Sequence, residues 1–526
     1  MAETVTQLLA ERADDDGIAI RHDTGTWSWR AYIADARRVA ATVLDAADSS
    51  RPMHIGVLLG NTPTMLFAIA AGALGGYVTA GINNTRRGEG LARDIRRADC
   101  QILLTDAEHR ELLDGLDLGD VQVFDTSTDE WAQRVAAAPE LTPHSTPGAV
   151  DPFMLIFTSG TSGDPKPVQL AHMLIPFAGP PLVEKFGITA DDVCYLSMPL
   201  FHSAALLGGY CVAAASGASM VPAKFSASTF LDDVRRFGVT YMNYVGKPLA
   251  YILATPERPD DADNPLRAAF GNEATDRDID DFARRFDCMV WDGYGSSELA
   301  VIITREPGTP KGSIGKGFPG VAVYNPSTVT ECAVAQFDEN GALLNADEAI
   351  GEIVNTSGAG MFTGYYNDEA TTSERMREGM YWSGDLGYRD ADGWIYLAGR
   401  TGDWMRVDGE NLTAGPIERI LQRMPEVGQV AVYGVPDDTV GDAVMAAVVP
   451  SGDDTPTPEA FASFLAGQPD LSPKAWPRYV RVSPKLPTTA TNKIIKRALK
   501  QEGARAHDGE QLWEREPRGT KYIVSG

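Results

Sequence analysis

The 526-residue chain sets 46 Lys and Arg against 72 Asp and Glu, a formal charge of −26. That charge argues against binding a nucleic-acid backbone or docking through a polybasic membrane patch. It leaves small molecules as the expected partners, with divalent cations helping anionic ones to bind. The length is too great for one core and predicts two or more domains.

From Ile55 the pattern is strand (55–59), helix (62–74), strand (77–82), charged helix (89–98) and strand (101–105). Strands alternating with helices of this length predict a parallel, doubly wound sheet. The stretch 65–82 is the most apolar, but Gly72, Gly75, Gly76 and Gly81 break it and Pro63 opens it, so it reads as helix, turn and strand inside a core. No integral membrane segment is expected. Residues 131–149 read as a loose connector. A second α/β run starts at Val193, with a small-residue helix reaching Ala215, a strand at 239–245 and a helix at 248–253. After Lys311 come Gly-rich turns and short apolar strands, a β-rich subdomain. Beyond Gly402 lie strands at 429–433, 443–449 and 479–482 and a helix from Thr457 with Pro458 at its first position. The expected architecture is α/β. Two doubly wound α/β subdomains and a β-rich one form a large N-terminal domain (1–401), followed by a small α+β C-terminal domain (402–526).

Five cysteines (Cys100, Cys194, Cys211, Cys288 and Cys332) are scattered without a CxxC, and the N-terminus Met-Ala-Glu-Thr lacks a basic-then-apolar signal region. A reduced, cytoplasmic protein is expected. The seven histidines form no H-x-x-H or H-x-x-x-H pair, so a protein-built zinc site is not expected.

The apolar run Phe153–Phe157 empties into Thr158-Ser159-Gly160-Thr161-Ser162-Gly163-Asp164-Pro165-Lys166. Glycines let backbone N–H groups approach an anion, hydroxyls add donors, and Lys166 brings a positive charge to a polyphosphate. Gly160 and Gly163 are only three apart and Pro165 precedes the lysine, which argues against a Walker-type ATPase or kinase. The order T-S-G-T-S-G-x-P-K resembles the signature of the adenylate-forming superfamily: acyl-CoA synthetases, luciferases and peptide-synthetase adenylation domains. The family pattern ends Pro-Lys-Gly, whereas Pro167 stands here.

Five further segments resemble the same superfamily. In Trp291-Asp292-Gly293-Tyr294-Gly295-Ser296-Ser297-Glu298, Ser297 replaces the usual Thr. The resemblance implies that Tyr294 stacks on adenine, that the Ser297 hydroxyl meets the α-phosphate, and that Glu298 helps hold Mg²⁺, which usually takes one or two carboxylates with water and phosphate oxygens. Gly271-Asn272-Glu273 matches the backbone flanking adenine, and Asp292 the partner of the purine amino group. Tyr381-Trp-Ser-Gly-Asp385 implies that Asp385 accepts from both ribose hydroxyls, a task suited to an acceptor-only carboxylate. Arg400 matches a residue contacting ribose and phosphate. Gly402 takes the hinge position usually held by Asp or Lys, and Gly409-Glu410-Asn411 matches the turn lining the pantetheine tunnel of CoA. In Pro487-Thr-Thr-Ala-Thr-Asn492-Lys493, Asn492 stands for Gly, a tolerable exchange for a left-handed backbone. Lys493 is then the adenylation lysine, bridging substrate carboxylate and α-phosphate. With Thr161 and Glu298 it makes the expected catalytic set.

An amino-acid substrate is not expected, because Leu200-Phe201-His202-Ser203 lacks the Asp that meets an ammonium. Tyr244-Val245-Gly246 and Gly271-Asn272 resemble the very-long-chain acyl-CoA synthetase and fatty-acid-transport-protein branch, nearest to actinobacterial ligases of steroid side-chain carboxylates. His202, Tyr244 and Gly246 are the expected acyl-pocket residues. The resemblance implies a mobile C-terminal domain and a two-step ligase using ATP, Mg²⁺ and coenzyme A on a hydrophobic carboxylic acid, with a homodimer left open. The alternatives are an acyl-AMP ligase loading a carrier protein and a non-catalytic fatty-acid-binding or transport protein.

Overall fold

The computed structural model describes residues 2–158, 165–407, 410–437, 441–452, 454–489, 493–516 and 519–525. An N-terminal hairpin, β1 (Ile18–His22) and β2 (Gly25–Ser28), precedes the first large sheet. That sheet contains β3 (His54–Leu58), β4 (Val78–Gly81), β5 (Ile102–Thr105), β6 (Gln122–Asp125), β7 (Pro152–Thr158) and β8 (Lys166–Ala171). Its spatial order is β6-β5-β3-β4-β7-β8, parallel except for β8, which returns antiparallel along β7 and sets Lys166 opposite Thr158. β3 and β5 are buried at every position and β7 at all but its two ends, as a sheet covered on both faces requires. The helix Pro63–Gly75 that covers one face is fixed at both ends. The Thr62 hydroxyl accepts from the Met65 N–H, Pro63 presets the first turn, and Gly76 (φ 66°) closes it. A Cβ on Gly76 would stand 2.1 Å from the Ser145 carbonyl oxygen.

The second sheet adds β9 (Val193–Leu196), β10 (Ser219–Pro222), β11 (Tyr241–Val245), β12 (Ala268–Asn272), β13 (Met289–Gly295), β14 (Ile302–Thr304) and β15 (Lys316–Gly317). It also takes in the N-terminal hairpin, giving the order β15-β14-β13-β12-β11-β9-β10-β1-β2. Cross-strand partners Val245↔Asn272, Gly271↔Asp292 and Asn272↔Gly293 gather the C-terminal ends of β11, β12 and β13, the edge where open α/β sheets bind ligands. The helix α1 (Leu174–Phe186) packs against this sheet's cover, and one apolar core runs through both sheets.

Antiparallel strands Val321–Asn325, Gly351–Asn355, Met380–Arg389 and Ile395–Arg400 form the β-rich part. After a 3₁₀ turn at Thr401–Asp403, residues 404–525 build a separate seven-stranded sheet with its own core, which includes Ile417, Leu421, Val432, Phe461 and Trp513. No helix among the described residues is long and apolar enough to cross a membrane.

Two expectations change. The connector begins with a helix, Asp129–Ala136, which the Thr128 hydroxyl caps at the Trp131 N–H. The helix to Ala215 is interrupted: a single π turn, Leu206–Tyr210, separates Ser203–Ala205 from Cys211–Ser216. Gly209 sits in that turn because a side chain there would collide. A Cβ on Gly209 would lie 2.6 Å from Leu196 Cδ2 and 2.7 Å from Asn243 Oδ1.

Candidate active site

Ser159, Gly160, Thr161, Ser162, Gly163 and Gly409 lie outside the described residues, while Glu410 opens the strand Glu410–Thr413. At the edge of the loop, Lys166 Nζ donates to Thr371 Oγ1 at 2.9 Å and stands 5.8 Å from the Tyr365 ring centroid. The Tyr365 hydroxyl donates to Glu298 Oε1 at 2.9 Å. Burial first, and the Glu298 carboxylate second, hold the Tyr365 phenol far above its ordinary pKa, so it remains a donor. Tyr365 therefore stands between the expected phosphate lysine and the expected magnesium carboxylate.

On the strand Met380–Arg389, Asp385 is buried, and the sheet register sets it opposite Arg400. Its Oδ1 lies 3.1 Å from Arg400 Nε, and its Oδ2 accepts from the Tyr294 hydroxyl at 2.5 Å. Asp385 raises the Arg400 pKa, keeping the guanidinium charged beside the site.

At the ends of β11–β13, Gly271 approaches Tyr244 so closely that a Cβ would lie 2.3 Å from the Tyr244 carbonyl oxygen. Asp292, 4% exposed, accepts on Oδ2 from the Tyr244 hydroxyl at 3.0 Å and from the Ala274 N–H at 3.1 Å. Burial outweighs these donors and pushes its carboxyl up to about 7. Tyr244 packs with Met242, Leu249 and Phe282 on the sheet face away from α1, so it braces Asp292 instead of standing beside His202. Gly246 has φ 70° and donates its N–H to the Asn272 carbonyl at 2.9 Å. The Asn272 amide oxygen is buried without a partner in this structure, and Glu273 follows at φ 67°, a left-handed conformation rare for glutamate.

His202 precedes the short helix Ser203–Ala205, whose Ser203 hydroxyl donates to Ser297 Oγ at 2.9 Å. Burial, reinforced by the nearby Lys493 charge, pushes the His202 pKa down to about 4. The ring is neutral at pH 7, and its buried Nε2 has no partner in this structure. Lys493 Nζ, reaching across from the segment before the helix Lys496–Glu502 of the C-terminal unit, lies 2.5 Å from Glu273 Oε1. The C-terminal ends of β11–β13 thus bring together Lys493, His202, Ser297 and the Gly271–Glu273 segment.

Gly402 lies in the 3₁₀ turn with open space where a Cβ would be. Its neighbour Asp403 is buried, 3.3 Å from Lys496 Nζ and 3.2 Å from Lys500 Nζ, and accepts from the Arg400 N–H at 3.3 Å. Burial pushes the Asp403 carboxyl up, but the two lysines overcome it and hold the pKa below the usual value. Tyr365, Thr371 and Asp403 were not assigned from sequence. Tyr365 and Thr371 lie 67 and 205 residues from the groups they contact, and only the fold joins them.

Residues 9–366 match the family of AMP-binding enzymes, and 416–493 match the C-terminal domain of AMP-binding enzymes. The medium/long-chain fatty-acid–CoA ligase FadD17 of Mycobacterium tuberculosis is 50% identical over 507 residues, covering 96% of this chain and 97% of that one. A steroid-22-oyl-CoA synthetase of Rhodococcus jostii is 44% identical over 516 residues, covering 97% and 93%. Among solved structures, ATP-bound MatB of Rhodopseudomonas palustris superposes with a TM-score of 0.83 at 23% identity over 95% of this chain and 99% of that one, a likeness of fold.

Proposed function

The chain belongs to the AMP-binding enzyme family, and on that premise we propose that it is an ATP-dependent, AMP-forming acyl-CoA ligase acting on a hydrophobic carboxylic acid. Full-length similarity to a fatty-acid–CoA ligase and a steroid-22-oyl-CoA synthetase supports this reading. The observation that carries it is Lys493, delivered from the C-terminal unit to Glu273 at the end of β12 beside His202, with Glu273 also close enough to act on Arg400.

In the first step a carboxylate oxygen attacks the α-phosphorus of ATP, giving acyl-AMP and pyrophosphate. Asp385 accepts from the ribose hydroxyls, Arg400 and Lys166 meet phosphate oxygens, and Lys493 stabilises charge shared between the carboxylate and the α-phosphate. The described residues hold no group of three or more His, Cys, Asp or Glu able to bind a metal alone. Glu298 offers one hard carboxylate, which suits Mg²⁺ that keeps phosphate and water ligands and neutralises polyphosphate charge. In the second step the CoA thiolate attacks the acyl carbon and AMP leaves with the electron pair. The C-terminal unit, whose boundary we place at Gly402, rotates between the steps to withdraw Lys493 and bring in Gly409 and Glu410. Five free cysteines, four of them buried, fit a reducing cytoplasm.

Thioester formation with medium-chain, long-chain and steroid side-chain acids tests the reading. Acid-dependent thioester and AMP support it. ATP turnover that no acid stimulates contradicts it.

A further inference from the structure

Glu298 follows β13, and the backbone around it is fixed from several sides. The Leu299 N–H donates to the Ser296 carbonyl at 3.1 Å, the Met361 N–H to the Leu299 carbonyl at 3.3 Å, and the Asn355 amide to the Ala300 carbonyl at 2.8 Å. These bonds place the main chain and leave the Glu298 side-chain torsions unset. Among the described residues, the Tyr365 hydroxyl, 2.9 Å from Oε1, is the one hydrogen-bond donor to its carboxylate.

Tyr365 is held without help from Glu298. It is buried, its N–H donates to Thr372 Oγ1 at 3.0 Å, it bridges to Val168 of β8, and its ring meets Phe362 edge-on at 5.1 Å. A hydroxyl on a ring fixed in this way is a preorganised donor, and it holds the carboxylate in place between two cations. Lys166 Nζ stands over the Tyr365 ring and donates to Thr371. Arg375, at the end of the helix Glu369–Arg375, is close enough to act on both Tyr365 and Glu298, yet it donates to the Trp382 carbonyl at 3.2 Å and forms no ion pair with the Glu298 carboxylate.

We propose that Tyr365 is a positioning residue for divalent-cation binding: its hydroxyl holds the Glu298 carboxylate ready for the Mg²⁺ that accompanies ATP. The inference rests on the ligase reading, with Glu298 as its magnesium carboxylate, and deepens it. Mg²⁺ demands nearly ideal octahedral geometry, and the described residues offer it no cluster of carboxylates, so the orientation of this one matters to affinity. Groups that hydrogen-bond a metal-binding side chain contribute roughly 10- to 100-fold in metal affinity or activity. Without the hydroxyl, Glu298 is free to turn toward Arg375, an ion pair that competes with metal binding. Tyr365→Phe removes the hydroxyl and keeps the ring that packs on Phe362 and lies under Lys166.

The test compares the full-length wild type, Tyr365→Phe and Glu298→Gln. Mn²⁺, which shares the oxygen preference of Mg²⁺, is titrated in the presence of a non-hydrolysable ATP analogue, and loss of the free-ion electron paramagnetic resonance signal reads metal affinity without turnover. The free Mg²⁺ needed for half-maximal thioester formation, at saturating ATP and acid, reads it during turnover. Y365F should weaken Mn²⁺ binding and raise the Mg²⁺ requirement roughly tenfold or more, and excess Mg²⁺ should restore turnover, which it would not do for a purely structural defect. Equal metal affinity in Y365F and the wild type, or lost turnover that excess Mg²⁺ does not restore, overturns the inference. Thioester formation by the wild type, with Mn²⁺ binding weakened in E298Q, then leaves the ligase reading and its magnesium carboxylate standing. Unchanged Mn²⁺ affinity in E298Q overturns the inference together with the role of Glu298, and no acid-dependent thioester from the wild type overturns the ligase reading as well.

Discussion

Lys493 Nζ and Glu273 Oε1 meet at 2.5 Å across the junction between the C-terminal unit and the end of β12, with 38% and 42% of their side chains exposed. A pair this wet contributes at most about 1 kcal/mol. It can hold Lys493 near the site, yet an incoming carboxylate or phosphate competes with it easily.

Unequal effects of removing the two partners follow. Lys493→Ala should slow acyl-AMP formation by about 10² to 10³, the range for losing one preorganised donor at developing charge. Glu273→Ala should change it by less than about fivefold. Acid-dependent ATP–pyrophosphate exchange measures both, and equal losses would contradict the assignment.

Asp385 is buried between the Tyr294 hydroxyl and Arg400. Asp385→Ala should raise the KM for ATP by roughly 10- to 100-fold, as expected for lost hydrogen bonds to a charged acceptor. Steady-state kinetics with saturating acid checks this.

Much of the fold was legible in the sequence. The alternation from Ile55 to Thr105 and the cap Thr457-Pro458 declared themselves, because apolar periodicity and end signals are local. The π turn at Leu206–Tyr210 was read as plain helix, since Gly209 answers to Leu196 and Asn243, which sequence does not place beside it. The site was legible as segments and illegible as contacts. Lys166, Glu298 and Asp385 stood out by motif, but Thr371, Tyr365 and Tyr294 reach them only through long-range packing. The sheet face carrying Tyr244 was likewise not fixed by its motif, and packing sends it to Asp292.

His172, 1% exposed and with Nδ1 unpartnered in this structure, has its pKa pushed down to about 4 by burial, Asp151 opposing only weakly. In the unfolded chain the ring titrates near 6.5, so between about pH 6.5 and 4 the unfolded state binds more protons and stability falls with pH. At pH 5 this one ring accounts for about 2 kcal/mol of loss. Urea midpoints at pH 7 and pH 5 should lie closer together in His172→Gln than in the wild type.

Asp292 has the opposite sign. Its pKa rises from an ordinary carboxylate value to about 7, so the stability associated with its protonated form is full at low pH and is lost as pH rises through 7. Asp292→Asn retains an acceptor for Tyr244 and Ala274 without a buried charge. The variant should gain roughly 2 kcal/mol on the wild type between pH 5 and pH 8, read from urea midpoints. An unchanged difference between the two proteins across that range would contradict the burial-driven shift.

The most direct test is a single-turnover experiment with the full-length enzyme, an acid it turns over and ATP, first without CoA and then with it. The account predicts acyl-AMP and pyrophosphate in the first stage, and complete discharge of that acyl-AMP to the CoA thioester and AMP in the second without further ATP. Failure to form acyl-AMP, or acyl-AMP that CoA does not discharge, would contradict it.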